Sequence, residues 1–375
     1  MMFSLLQQII FLFKKKSKLF ITVFLTFTFI FAALTNFATV YYVSNDGSDS
    51  NPGTNPDLPW KSLNKVNDFI PSPGDKILFK RGDEWAGTLT IKTTGFPQKR
   101  IIYGAYGTGP NPRFRGTKEI TGWTKYSGNI YTATFNSTPT QLFVNDERIY
   151  SARYPNEGYH LVTDVINKLQ FTSSSLEPST NYKGAIWLGR TNEWYSPTRE
   201  VTLSISKRLT LNASPNGVLG VDEGFILFNK LEFLDKAGEW FYDESDNTVY
   251  LWTPNNDSPV NYNITGSVYE TGISINNSHY VTIQDLELAH YQSSGINISE
   301  CNHITIQNNE IYYCEEFGIQ DVSTSDDTQI LNNKVEGTNG IGMLVWGEDM
   351  VIADNKILYI GLFKDLGLKG TAAPN

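Results

Sequence analysis

Two stretches decide the fold: Thr271–Leu288, "TGISINNSHYVTIQDLEL", and Ser294–Ile311, "SGINISECNHITIQNNEI". The second repeats the first with a fixed offset. Gly272, Gly295, Gly318 and Gly342 open successive segments, at spacings of 23, 23 and 24 residues. Ile283, Ile306, Ile330 and Ile352 mark a second run in each segment, at spacings of 23, 24 and 22. Asn309, Asn333 and Asn355 fall at one equivalent position. A period in the twenties is the mark of a solenoid, whose units bury their apolar sides only by stacking. Leucine-rich repeats need a Leu-dominated consensus and a helical segment. These segments instead carry β-branched residues in short alternating runs: Ile273 and Ile275 to one side, Ser274 to the other. The pattern predicts a parallel β-helix, with the recurrent Asn residues stacked in a hydrogen-bonded ladder.

The remaining sequence is organised around that repeat. The chain has 375 residues, 40% of them hydrophobic and 13% aromatic, enough for one large or two ordinary domains. Residues 1–38 read as a secretory signal: Lys14–Lys16 and Lys18 precede the apolar run 19–34, then small residues to Ala38. The rival for this segment is an uncleaved anchor, although the run is short for a membrane span. Residues 39–121 read as an N-terminal cap and first coils. Trp60, Leu63, Val66 and Phe69, three apart, form a helical stripe suited to closing the end of the core. Residues 122–265 are strand-rich without a repeat and read as an inserted antiparallel β module. Residues 266–375 carry the coils and stop in mid-coil, which reads as truncation. The expected fold is therefore all-β: a parallel β-helix with a capping helix and an inserted module.

Charge narrows the partners. The net charge is −9, and without the first 38 residues 26 bases face 39 acids, a net of −13. Such a body suits neither nucleic acid nor an anionic membrane surface. It disfavours a groove for polyanionic sugars and leaves neutral glycans open. Cys301 and Cys314 read as two small buried side chains, with a bridge as the rival. No Cys or His spacing suggests zinc.

At this point the sequence resembles a known group. "YYVSNDGSDSNPGT", "PWKSLNKV" and "PGDKILFKRGDEW" are similar to the opening of secreted right-handed parallel β-helix proteins, which include polysaccharide lyases and several glycoside hydrolase families. "LFVNDERIYSARYPN" and "GEWFYDESDNTVYLW", followed by Asn-rich coils, resemble the β-helix glycoside hydrolases that carry an inserted β module. The resemblance implies a secreted or cell-surface protein, monomeric, acting on a polysaccharide or oligosaccharide. It specifies architecture more than reaction, because one scaffold hosts several chemistries.

Glycoside hydrolysis needs two carboxyls flanking one bond. Equivalent positions on adjacent coils stand about 4.8 Å apart, so acids about one repeat apart are the candidates. Asp321 aligns with Ile275 and Ile298, where an aliphatic residue belongs. The interval from Gly318 to Ile330 is one residue longer than its predecessors, so a bulge is expected to put Val322 inward and turn Asp321 outward. Glu348 is the partner carboxyl, with Trp346 as a sugar-stacking wall. In the module, Trp187, Arg190 and Trp194 suit the face and hydroxyls of a sugar. The bland alternatives are a structural Asp, a solvated turn and a module core. Glu315 and Glu316 read as turn residues, Asp326 and Asp327 as loop caps, His290 and His303 as surface turn residues. No metal or cofactor is expected for a hydrolase. A lyase on the same scaffold would need a base and Ca²⁺ or Arg to neutralise a sugar carboxylate, and the repeat region has Lys334 and Lys356 but no Arg. A non-catalytic glycan-binding protein is the third possibility.

Overall fold

A computed structural model describes residues 38–191, 196–321, 323 and 325–361. The proposed signal segment and the last fourteen residues lie outside them, as does Trp194. Each coil contributes three short strands, and each kind of strand stacks into its own parallel sheet. One sheet, the glycine face, orders Leu89–Ile91, Thr271–Asn276, Ser294–Ser299, Phe317–Asp321 and Ile341–Val345. The isoleucine face runs from Val40–Val43 through Lys76–Lys80, Ile101–Tyr106, Val281–Gln284, Thr305–Gln307 and Gln329–Leu331 to Val351–Ala353. A third face runs from Glu84–Ala86 to Lys356–Leu358. The predicted columns are present. Ile77, Tyr103, Ile283, Ile306, Ile330 and Ile352 are partners in successive strands. All except Ile352, on the last coil, are nearly or wholly buried. The protein is a parallel β-helix.

Packing, not backbone conformation, explains the recurrent glycines. None of the four has positive φ. A Cβ on Gly272 would lie 2.7 Å from Leu288 Cδ2; on Gly295, 2.5 Å from Ile311 Cγ2; on Gly318, 2.3 Å from Val335 Cγ1; on Gly342, 2.5 Å from Ile357 Cγ2. The aliphatic row of the third face fills the corner of every coil and leaves no room for a side chain opposite.

The asparagine ladder also forms. Asn309, Asn333 and Asn355 donate through Nδ2 to the carbonyls of Ile283, Ile306 and Ile330, at 3.1, 2.9 and 2.7 Å. Their Oδ1 atoms accept from the backbone N–H of Leu286, Asn309 and Asn333 at 3.1, 3.0 and 2.8 Å. Leu286 occupies the ladder position in the first coil of the series, so the ladder begins one coil later.

At the N-terminal edge, the helix Leu63–Asp68 is capped by Ser62, whose side chain accepts from Lys65 N at 3.1 Å. Leu63 and Val66 enter the same core as the coils, with Trp60. Asn67 then treats the terminal strand of the glycine face as a neighbouring strand would. Its Nδ2 donates to Thr88 O and its Oδ1 accepts from Thr90 N, each at 2.9 Å. A free sheet edge is thereby covered.

The module interrupts the chain without interrupting the helix. Leu89–Ile91 pairs directly with Thr271–Asn276, Ile101–Tyr106 with Val281–Gln284, and Arg113–Arg115 with Glu287–Ala289. The insertion leaves after Gly116 and returns at Val268 and Tyr269, whose N–H groups both donate to Gly116 O. Its first strand, Thr117–Glu119, pairs with its last, Ile264–Ser267, so the module extends a few residues beyond the expected 122–265 at each end. It comprises two sheets of eight strands, the first wholly antiparallel except where Glu147–Ser151 pairs parallel with Glu239–Asp243. Each sheet has its own apolar cluster. Cys301 and Cys314 are buried and unbridged.

Candidate functional site

Asp321 ends the Phe317–Asp321 strand in register with Ile298 below and Val345 above. It therefore stands in the inward row of Ile91, Ile275 and Ile298, with no exposed surface. This corrects the expected outward turn: the strand keeps its register through Asp321, and Val322, expected inward, lies outside the described residues. Ser323 Oγ lies 3.4 Å from Asp321 Oδ1, while Oδ2 has no hydrogen-bond partner. Burial pushes the pKa of Asp321 up, the Ser325 and Ser323 donors oppose it, and the charge of Asp326 adds to it.

The turn above Asp321 gathers several of the expected residues. Trp346 N donates to Asp321 O at 2.7 Å, and the indole is 61% exposed. Glu348 N donates to Asp326 Oδ1 at 3.1 Å, and Asp327 N donates to Glu348 O at 3.1 Å. Asp321, Trp346 and Glu348 thus occupy one corner of adjacent coils, with Asp326 placed between the last and the first. His303 joins through an ion-pair contact to Asp327, 3.2 Å from Nδ1 to Oδ2, and stacks on Tyr280.

The module residues are not part of this corner. Trp187 is 1% exposed inside the second module cluster, and Arg190 is 7% exposed. Trp187 lies on a core strand, Ile186–Gly189, sandwiched between Thr198–Ile205 and Gly224–Phe228. His290 also departs from expectation. It is wholly buried and stacked on Phe143 of the module at 3.7 Å, with neither ring nitrogen hydrogen-bonded. It looked like a surface turn residue because the module that covers it lies some 150 residues away in sequence.

The third face holds a carboxyl pair that the repeat could have revealed. Glu287 and Glu310, 23 residues apart, are direct partners on adjacent strands. Tyr312 donates its hydroxyl to Glu310, and Asn111 Nδ2 approaches it at 3.3 Å. Arg113 Nε lies 2.6 Å from Glu287, and Asp146 from the module turn bridges Arg113 and Arg115. Glu287 and Glu310 belong to a charged column, Glu84–Arg113–Glu287–Glu310–Lys334, of register partners on successive strands. Arg113 pairs with Glu84, Glu287 and Asp146, and Glu310 is held by Tyr312 and Asn111, which is the behaviour of a structural network.

A seam joins module and coils. Gln141 Nε2 donates to Tyr291 O and Tyr313 O, and Arg148 Nη1 donates to Gly337 O at 2.8 Å while its guanidinium lies over the Tyr313 ring. Glu315 faces this seam and accepts from Asn339 Nδ2 at 2.8 Å. Burial pushes its pKa up to about 7 against the pull of Asn339 and Arg148. Glu239 in the module is likewise raised to about 7 by burial, and the Asp235 charge adds to it. His290 and His160 are lowered by burial to about 3 and about 4.

These shifts predict the pH dependence of stability. Between about pH 4.5 and 7 the folded chain keeps protons on Glu315 and Glu239 that the unfolded chain has released, so stability falls as pH rises through that window. The histidines act in the opposite sense. Unfolded imidazoles bind protons below about 6.5, and the folded ones resist until about 3 and 4, so stability falls as pH drops through that range. The two trends offset each other between about pH 4.5 and 6.5, giving a plateau with losses on both sides. Glu315→Gln is expected to raise Tm at about pH 8 and leave it nearly unchanged at about pH 5, as read by thermal melts at both pH values. Equal shifts at the two values would contradict the assignment.

Comparison with known proteins places this geometry. A family model described as periplasmic copper-binding protein (NosD) matches residues 222–367. Among the described residues, no group of three or more His, Cys, Asp and Glu side chains is arranged to hold a metal ion. A lacto-N-biosidase of Bifidobacterium longum subsp. longum is 44% identical over 81 residues, which is 20% of this chain and 5% of that protein. The chain thus spans only a small part of that relative. A solved glycoside hydrolase structure is similar with a TM-score of 0.57 and 12% identity, covering 86% of this chain and 97% of that one. A lacto-N-biosidase structure from Eubacterium ramulus is similar at 14% identity and a TM-score of 0.34, covering 84% of this chain and 41% of that one. No helix among the described residues is long and apolar enough to cross a membrane. In fold, this chain is a parallel β-helix protein with an inserted β module, similar to a solved glycoside hydrolase over nearly the whole of that structure.

Proposed function

We propose that the protein is an exported carbohydrate-active β-helix protein that hydrolyses glycosidic bonds of a neutral oligosaccharide or polysaccharide at the Asp321 corner. One observation carries the reading: a wholly enclosed carboxyl with an unpartnered oxygen replaces an aliphatic residue at Asp321, whose backbone carbonyl accepts from the N–H of the exposed Trp346 on the next coil. A buried acid in an aliphatic row costs stability, and burial raises the pKa of Asp321, the direction a general acid requires. In this reading Asp321 protonates the leaving oxygen. Asp326, with Glu348 on the next coil, supplies the second carboxyl group, which stabilises or attacks the sugar. Trp346 stacks on the ring. Ser323 Oγ lies against Asp321 Oδ1, so it must move aside when substrate binds. Similarity to a lacto-N-biosidase over 81 residues supports the choice of carbohydrate as the substrate class.

The experiment is incubation of the purified chain with neutral oligosaccharides, monitoring reducing-end release and ultraviolet absorbance together. Release without absorbance gain is the expected result. A new absorbance from a C=C bond would replace hydrolysis with lyase chemistry. Binding with no release after long incubation would remove the catalytic role and leave a glycan-binding protein.

A further inference from the structure

Away from the Asp321 corner, the first module sheet places three unlike groups in one row. Tyr150 is the register partner of Glu239, and Glu239 is the partner of Trp252. Directly paired residues project from the same side of a sheet, so the carboxyl lies between a tyrosine and a tryptophan. Tyr150 is 52% exposed, and Trp252 is half-buried with its Nε1 donating to Asn256 Oδ1 at 2.7 Å, which fixes the indole. Glu239 is only 5% exposed, yet its Oε2 has no hydrogen-bond partner. Its other contacts are with the backbone N–H groups of Lys236 and Asp235.

A second acceptor is left open on the same segment. Asn156 Nδ2 donates to Asp235 Oδ1 at 2.7 Å, which fixes the orientation of the amide, and Asn156 Oδ1 is buried without a partner. Two enclosed acceptors bordering Asp235 therefore lack donors. Buried unpaired acceptors cost stability and call for an explanation. The missing ligand must bring donors and an apolar face to lie on the aromatic rings. Anions are disfavoured by Asp235, Glu239 and Glu157, the last already paired with Lys236 at 3.1 Å. A metal ion is a poor match, because no cluster of three ligating side chains occurs among the described residues.

We propose that Tyr150, Trp252, Glu239 and Asn156 form a second, non-catalytic binding site for a neutral sugar ring on the inserted module. Hydroxyl groups of the sugar donate to Glu239 Oε2 and Asn156 Oδ1, and its C–H face lies against Tyr150 and Trp252. The choice of ligand class rests on the carbohydrate reading above; the site itself rests on the two open acceptors and the aromatic pair. The site would hold a polymeric or long-chain glycan while the helix acts on another part of it.

The test uses the whole chain and a panel of neutral oligosaccharides, with binding by calorimetry and reducing-end release measured in parallel. Tyr150→Ala and Asn156→Ala are each expected to weaken Kd about tenfold, the effect of one lost contact of about 1.4 kcal/mol. Tyr150 is exposed, so its removal leaves the core untouched, and an unchanged Tm for that variant accompanies the expected result. The proposal is overturned if no member of the panel binds the wild type, or if both variants bind as the wild type does. Failure of the hydrolysis reading gives a different result: the wild type binds through Tyr150 and Asn156 and releases nothing.

Discussion

Asp321→Asn is expected to lower reducing-end release by at least about a hundredfold, the usual scale for a general acid, with Tm within a few degrees of wild type. The amide has the shape of the carboxyl and cannot deliver the proton. Asp321→Val is the informative companion. Val345 is the register partner above and Ile298 the partner below, so a valine completes an aliphatic row that the aspartate interrupts. Removing a buried, half-satisfied carboxyl in favour of a hydrocarbon of fitting shape is stabilising where no function holds it. Asp321→Val is therefore expected to raise Tm while abolishing release, the trade between stability and function common at reaction centres. Thermal melts and the release assay check both halves. A Tm that drops on Asp321→Val would make the carboxyl a structural group bound to the Ser323–Ser325 turn, and unimpaired release by Asp321→Asn would remove it from catalysis altogether.

The scaffold could be read from the chain because its physics is periodic. Each coil needs an aliphatic residue at Ile283, Ile306 and Ile330, an amide at Asn309, Asn333 and Asn355, and an empty corner at Gly272, Gly295, Gly318 and Gly342. The offsets therefore recur in sequence as they do in space. The continuity of the helix through the insertion left no such trace. Leu89–Ile91 stacks on Thr271–Asn276, and Thr88 Oγ1 donates to Thr271 O at 2.6 Å across 183 residues. No spacing rule spans a module of that size.

The candidate site was legible in part for the same reason. Asp321 announced itself as a carboxyl in an aliphatic column. What the column could not tell was how the added residue would be absorbed, because a bulge in the strand and a longer turn have the same length. Glu287 and Glu310 obey the repeat as well as any isoleucine, and a pair that keeps the pattern on the outer side has no departure from it to mark a function. Trp187 misled because aromatic residues clustered beside an arginine read alike on a sugar platform and in a module core. His290 and Tyr150 took their environments from module strands distant in sequence, so neither the burial of the first nor the carboxyl beside the second had a local signature.

Asn333→Ala is expected to be the most destabilising of the single changes considered, by about 4 kcal/mol or more. Four hydrogen bonds meet at this side chain. Its Oδ1 accepts from Asn309 N and from Asn309 Nδ2, each at 3.0 Å. Its Nδ2 donates to Ile306 O at 2.9 Å and to Asn355 Oδ1 at 3.0 Å. The residue is 1% exposed, as is Asn309, so water cannot replace the lost partners without a cavity to enter. Truncation strands a backbone N–H, a backbone carbonyl and an amide of the neighbouring coil, each costing about 1–3 kcal/mol when buried and unpaired. Asn355→Ala removes the rung on the last described coil, where the side chain is itself only half-buried and water can replace it, and should cost distinctly less. The contrast, measured by urea unfolding of the two variants, tests whether the ladder acts as a continuous internal spine. Equal losses at Asn333 and Asn355 would mean that each asparagine stabilises only its own turn, and that cohesion between coils comes from the aliphatic columns alone.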